Sequence, residues 1–456
     1  MDSRTGLFGL LPEQMLAARP TGAPRLRKAE RRQVSLRPLS LEDLLPPGHR
    51  ARFVWAFAER LDLSALYGAI KAVEGHPGHP PADPRILLAL WLYATVEGVG
   101  SARELDRLCR EHIGFEWLCG GVGMNHTTLA EFRVAHGAVL ERLLTDSFAA
   151  MLKTGHASLA RVAQDGMRVR AAAGAASFRR RASLARCRAE AAVEVARLRA
   201  ELEADPGALS RRQAAARQRA VADRERRVEA ALAVAEQLAA KRQGDPCPQR
   251  EDPPRPGDAP AGEATGTPPP EPRVSTTDAE ARVMKMPDGG FRPAFNLGFA
   301  SDPRSTMIAA VTLDNTGSDK GQLRPMSDQL AEVYGQRPSE HLVDGGFAKL
   351  ADIEALAAAG VAVFAPVPKP RDAARDPHAP RDGDGPGVAA WRRRMGSEAA
   401  KAVYKERAAT AECANAQCRN RGLLRFLVRG LEKAKAVGLW HALAHNMICT
   451  GRLLAT

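Results

Sequence analysis

Residues 159–171 read LARVAQDGMRVRA, and residues 341–350 read HLVDGGFAKL. In the first stretch Val162 and Gln164, then Val169 and Ala171, alternate at a strand's two-residue period around Asp165-Gly166 and predict one or two strands. In the second, residues 341–343 predict a short buried strand that ends at Asp344, ahead of a helix over 349–359. A third acid, Glu412, falls on a predicted helix. Each acid by itself has an ordinary reading: Asp-Gly pairs are turn sequences in which Asp accepts backbone N–H bonds, and Glu412 suits a solvated helix face. Asp278, Asp302, Asp314 and Asp319 are competing acids.

Outward from these stretches, residues 274–456 predict an α/β unit. FRPAFNLGFA and STMIAAVTLD read as paired strands, 319–334 as a helix and 361–367 as an apolar strand. Helices follow over about 391–418 and from 431 onward. Strand-strand then strand-helix-strand-helix suits one mixed sheet flanked by helices. Between the two acid-bearing stretches, residues 179–243 are rich in Ala, Arg and Glu, with apolar positions such as Ala191, Leu198, Val228 and Ala235 at heptad-like spacing. Asp205-Pro206-Gly207 breaks that segment, which predicts an antiparallel helical hairpin. The hairpin carries 16 basic and 9 acidic residues, suited to phosphates or a second protomer, or simply a solvated arm. Residues 244–273 are Pro-, Gly- and Asp-rich and read as a disordered linker.

The N-terminal third divides in two. Residues 1–50 form a Pro- and Arg-rich arm in which Arg25, Arg27 and Lys28 either lie along phosphates or lead in as solvated chain. Residues 51–155 predict several short helices. Asp83-Pro84 is a helix start, Ser101–Glu104 and Thr128–Glu131 read as capping boxes, and Gly155 is a stop. Two readings stay open: a helix-turn-helix offering Arg133 and His136 to a DNA groove, or a bundle that packs without touching bases.

Composition narrows the partner. The chain of 456 residues carries a formal charge of +13, which favours a polyanion. An aromatic content of 5% fits duplex nucleic acid better than single strands held by base stacking. No apolar run reaches the roughly 20 residues a bilayer requires, and the N-terminus lacks a secretion pattern, so the expected location is the cytoplasm, with no membrane partner. Seven cysteines without a CxxC pair read as reduced thiols and no zinc site.

Longer blocks carry a resemblance. LLALWLYATVEGVGSARELDRLCREHIGFEWLCGG and HTTLAEFR resemble the N-terminal domain of bacterial insertion-sequence transposases. VAQDGMRVRA, TTDAEARVMKMPDGGFRPAFNLGFASD, SDKGQLRPM and HLVDGGFAKLADIEAL resemble successive blocks of their catalytic domain. The stretch beginning YKERAATAECANAQCRN is similar to the group's Tyr-Arg-Glu signature. The resemblance implies a ribonuclease-H-like fold over 156–178 plus 274–456, with a DDE triad of Asp165, Asp344 and Glu412. It also implies that Tyr404 and Arg407 position or neutralise phosphate, and that Arg419 or Arg421 supplies the basic residue expected after the glutamate. Implied with it are two Mg²⁺ (or Mn²⁺) ions, terminal inverted repeats and target DNA as partners, and a homodimer on DNA.

One spacing departs from the related pattern. Four residues, not three, separate Arg407 from Glu412, and five steps of about 100° would turn them some 140° apart on an ideal helix. Either the helix is irregular there, or Arg407 does not share the metal face. Three functions remain in view: an active DDE transposase, a transposase-derived DNA-binding protein without turnover, and a ribonuclease-H-like nuclease that cuts without joining.

Overall fold

The computed structural model describes residues 40–75, 78–204, 211–244, 271–370 and 374–455. Its N-terminal part is a run of helices: α1 (Arg50–Glu59), α2 (Ser64–Gly68), α3 (Pro84–Val96), α4 (Ala102–Glu111), α5 (Ile113–Cys119), α6 (His126–Ala135) and α7 (Gly137–Lys153). Asp83 caps α3 by accepting from Arg85 N at 2.8 Å, with Pro84 at the first helical position. Ser101 caps α4 as expected. The start of α6 differs from the capping box at Thr128–Glu131. Asn125 accepts from both Thr127 N and Thr128 N, so the helix begins earlier. A shared Asx cap satisfies two orphan donors and therefore wins over the more distant Thr. Being apolar on all sides, α3 is buried on all sides, with Leu88, Leu90 and Leu92 fully enclosed. Among the described residues no helix is long and apolar enough to cross a membrane.

The sheet follows. Residues 161–170 form one strand, β1 (Arg161–Arg170), so Asp165-Gly166 lies mid-strand and not in a turn. After β2 (Phe178–Arg179) come α8 (Arg181–Ala204) and α9 (Arg211–Gly244), then β3 (Val274–Ser275), β4 (Arg282–Lys285), β5 (Phe291–Ser301) and β6 (Ile308–Asp314). Then α10 (Leu323–Tyr334), β7 (Glu340–Leu342), α11 (Leu350–Ala358) and β8 (Ala362–Phe364) complete the sheet. Strands β4 and β6 both pair antiparallel with β5, and β5 pairs antiparallel with β1. On its other side β1 pairs parallel with β7, and β7 with β8. The sheet is thus mixed, antiparallel on one side of β1 and parallel on the other.

Period-two alternation sends β1 to two cores. Met167 and Val169, with Phe295, Leu297 and Phe299 of β5, pack under the C-terminal helices and join the core of the N-terminal helices. Val162 and Ala300 pack with Phe148 of α7 and Met326 and Leu330 of α10 on the other face. The C-terminal run comprises α12 (Pro386–Gly396), α13 (Glu398–Arg407), a π-helical turn (Ala408–Glu412), α14 (Cys413–Asn420) and α15 (Leu431–Leu453). Helix α15 ties the halves together. Trp440 Nε1 donates to Arg133 O of α6 at 2.9 Å, and Asn446 closes both backbone bonds of Ile308 at the start of β6.

The insertion leaves and returns through β2 and β3, which pair antiparallel. Helices α8 and α9 run antiparallel, with Arg181–Glu236 and Arg188–Glu229 ion pairs across them and Ala191, Leu198, Val228 and Ala235 buried along the seam. The predicted Asp205-Pro206-Gly207 turn, most of the 244–273 linker and most of the N-terminal arm, including Arg25, Arg27 and Lys28, lie outside the described residues.

His341 of β7 is fully buried with neither ring nitrogen bonded, and burial pushes its pKa down to about 3. The unfolded chain takes up a proton below about pH 6.5 that the folded chain refuses, so stability falls as pH drops from there toward the folded value. We expect His341→Leu to raise stability at pH 7 by about 1 kcal/mol or more, by removing two unsatisfied polar atoms. It should also remove one proton's worth of acid sensitivity, ~1.4 kcal/mol per pH unit below about pH 6.5. Urea melts of both proteins from pH 7 to 5 measure both effects; equal stability at both ends of that range would refute them.

Candidate active site

The parallel register of β1 and β7 sets the geometry. Ala163 pairs with Leu342, so two residues further along each strand Asp165 and Asp344 come level and on one face. Asp344 leaves the strand and accepts from Gly346 N at 2.7 Å, capping a 3₁₀ turn (Gly345–Phe347). The turn-like reading of Asp344-Gly345-Gly346 and a place in the site are therefore compatible. Gly166 is needed beside Asp165 because a Cβ there would lie 2.8 Å from Asp319 Oδ1 and 3.1 Å from Asn296 Oδ1.

The third acid arrives through the irregular helix. The turn from Ala408 to Glu412 is π-helical, with one extra residue in its ring, so residues five apart come onto one face. Of the two possibilities left by the Arg407–Glu412 spacing, the irregular helix is the one observed. Arg407 Nη1 stands 3.2 Å from Glu412 Oε1, while its Nη2 is 3.4 Å from Asp165 Oδ1 and 3.7 Å from Asp344 Oδ2. One guanidinium, 9% exposed, sits at the focus of three carboxylates. Asp165 and Asp344 oxygens, sharing one Nη2, are within about 7 Å of each other.

Asn415, three residues beyond Glu412 and buried, donates to Asp165 Oδ2 at 2.9 Å. Sequence reading missed it; the one available signal was its i+3 spacing from Glu412 on a helix. Burial pushes the Asp165 carboxyl up from its ordinary value and Asp344 adds to that, while Arg407, Gly166 N–H and Asn415 pull it back down. Burial likewise raises the half-buried Tyr404 phenol, which feels Arg407 and all three acids. Three carboxylates and one guanidinium leave two formal negative charges unbalanced, and all-oxygen donors suit hard divalent cations. Among the described residues, no group of three or more His, Cys, Asp or Glu is assembled to hold a metal directly. Arg407 stands where the acids converge.

The other predicted residues are not brought to this cluster. Arg133 is buried, stacked over Trp91 at 4.8 Å with Nη1 bonded to Gly100 O. Its side chain packs between helices and is not held out on a free face of α6. His136 is half-buried against Phe132, its pKa lowered by burial. Arg419 and Arg421 lie at the far end of α14, where Arg421 bonds Gln417 at 3.3 Å. The competing acids have structural partners: Asp278 accepts from Gly430 N, Asp302 from Ser158 N and Ser305, Asp314 from Thr316, and Asp319 from Asn296.

Residues 39–135, about a fifth of the chain, match the family model described as Transposase domain (DUF772). The match supports a transposase, a DNA-processing enzyme, as the general class. No curated protein and no solved structure matches the chain.

With Arg407 the shared counter-ion, Arg407→Gln should destabilise the metal-free protein by about 1–3 kcal/mol, below the figure for a fully buried pair because Asp344 and Glu412 are partly exposed. Adding Asp344→Asn should restore part of that loss, since it removes one of the repelling charges. A double-mutant cycle by denaturant unfolding reads this out. Strict additivity would mean that the two groups do not interact.

Proposed function

We propose that this chain is a DDE transposase acting on double-stranded DNA, with Asp165, Asp344 and Glu412 as its metal-holding acids. The observation that carries the reading is the convergence of these three side chains, from β1, the end of β7 and the π turn, on a single cation. The sheet supports it: an antiparallel β6–β5–β1 half joined at its central strand to a parallel β1–β7–β8 half fits a ribonuclease-H-like fold. The transposase-domain match over 39–135 and the +13 charge agree with it.

In this reading the three acids would hold Mg²⁺ or Mn²⁺, with Arg407 moved off their oxygens. Two such ions, when bound, activate the attacking oxygen and stabilise the leaving one in phosphodiester cleavage and strand transfer. The rest falls to the chain. Rigid pairing of β1 with β7 holds two of the acids level, and Asn415 fixes the rotamer of Asp165. Arg407, released from the carboxylates, presents a planar fork to a phosphate, and Tyr404 stands beside it. The substrates are the element's terminal inverted repeats and target DNA, and a homodimer would hold the two ends.

A second reading, a transposase-derived DNA-binding protein without turnover, is favoured by one observation: Arg407 already occupies the point where the acids converge. The full chain, incubated with duplexes carrying its element's ends, a labelled target and Mg²⁺, separates the readings. A transposase joins the 3′-OH end to target, and Asp165→Asn or Asp344→Asn lowers joining at least 10³-fold while end binding persists. Binding with no cleavage in the wild type supports the second reading, and cleavage without joined product indicates a nuclease.

A further inference from the structure

A second concentration of positive charge lies away from the carboxylates. Arg133 of α6 and Arg421 at the end of α14 line one cavity of about 230 Å³, together with the imidazole of His441 of α15. Exposed Leu424 and Leu427 lie on its rim, beside Arg425. Its wall is formed where two loops meet so closely that a Cβ at Gly422 would stand 3.2 Å from Gly98 O.

The charges in this cavity are unbalanced. Arg133 is 8% exposed and is held only by Gly100 O and the Trp91 ring. Arg421 Nη1 is enclosed without a partner, and its Nη2 bonds the neutral Gln417. His441, 7% exposed, is neutral: burial, with Arg133 and Arg421 beside it, pushes its pKa down to about 3, and its Nδ1 has no partner. Among the described residues neither guanidinium pairs with a carboxylate, and the charges nearest Arg421 include Arg50 and Arg452, of like sign. Burial lowers the pKa of both, Arg133 to about 10, and around Arg421 only the Cys418 and Cys449 thiols, not a carboxylate, act against it. An enclosed, unpaired charge is costly, and a neutral core of the same shape would be more stable. Two guanidiniums lining the same cavity, neither paired with a carboxylate among the described residues, suit an anionic ligand.

We propose that this cavity binds a phosphate-type oxyanion, held between the guanidiniums of Arg133 and Arg421. A guanidinium fork matches the oxygens of phosphate geometrically. Liquid water occupies about 30 Å³ per molecule, so the cavity has room for one tetrahedral oxyanion and a few waters but not for a nucleoside. The phosphate is either free in solution or a phosphodiester of a nucleic-acid backbone entering past Arg425. The site does not depend on the carboxylate cluster or on catalysis.

The test uses the full chain, with inorganic phosphate and a short duplex DNA as separate probes, followed by calorimetry, thermal melting and the fluorescence of Trp440, which lines the cavity. Arg421→Gln, at a half-exposed helix end, should fold and melt no lower than wild type without phosphate, because it removes an uncompensated charge. Arg133→Lys keeps the charge and loses the fork. If the oxyanion is free, phosphate raises the wild-type melting temperature and either variant weakens phosphate binding about tenfold or more. If the backbone supplies it, duplex and not phosphate perturbs Trp440, and both variants reduce that response. Wild type indifferent to both probes, or binding unchanged in both variants, would overturn the proposal and leave a water-filled cavity.

Discussion

The pairing of β1 with β7 is the constraint from which the site follows. Parallel register at Ala163–Leu342 brings Asp165 level with Asp344 across about two fifths of the chain. A one-residue slip would send either acid to the opposite face, because side chains alternate along a strand. The register is held from several sides. Arg161, at the start of β1, pairs with Glu340 of β7 and with Glu406 of α13, linking both strands to the helix that carries Arg407. The same helix then takes a π turn, and the extra residue brings Glu412 under the guanidinium. Local irregularity and long-range pairing therefore converge on one cluster.

That cluster is electrostatically poised. Among the described residues Arg407 is the one cation paired with all three acids, its contacts of 3.2–3.7 Å are longer than a tight bidentate pair, and its Nε has no partner. Asp165 is better held, gripped on its second oxygen by Asn415. The arrangement keeps the acids gathered while leaving net negative charge for further cations. A fixed strand acid, a turn acid and a helix acid also differ in exposure, with Glu412 the most open. The outer members can adjust while the inner one stays in place.

Much of this was legible residue by residue. The alternation Val162, Gln164, Val169 predicted the strand under Asp165, and the short apolar run before Asp344 predicted the second. The spacing of Arg407 and Glu412 announced an irregular helix or a divided face, but not which; a π turn has no sequence signature that separates the two. Strand order was illegible because pairing depends on contacts far apart in the chain. Asn415 carried no signal beyond its spacing. The burial of Arg133 was illegible for a physical reason: on its own helix it looks like a surface cation, and its contacts with Trp91 and Gly100 O, like the bond from Trp440 to its backbone, come from segments far along the chain. Thr128 likewise looked like a cap until Asn125 is seen to take both backbone donors.

Diffraction from crystals of the chain soaked in Mn²⁺, recorded at the manganese absorption edge, tests the central claim most directly. The account predicts anomalous density among Asp165, Asp344 and Glu412, with the Arg407 guanidinium displaced from their oxygens. Manganese bound only elsewhere, with Arg407 still bridging the three carboxylates at saturating metal, would contradict it.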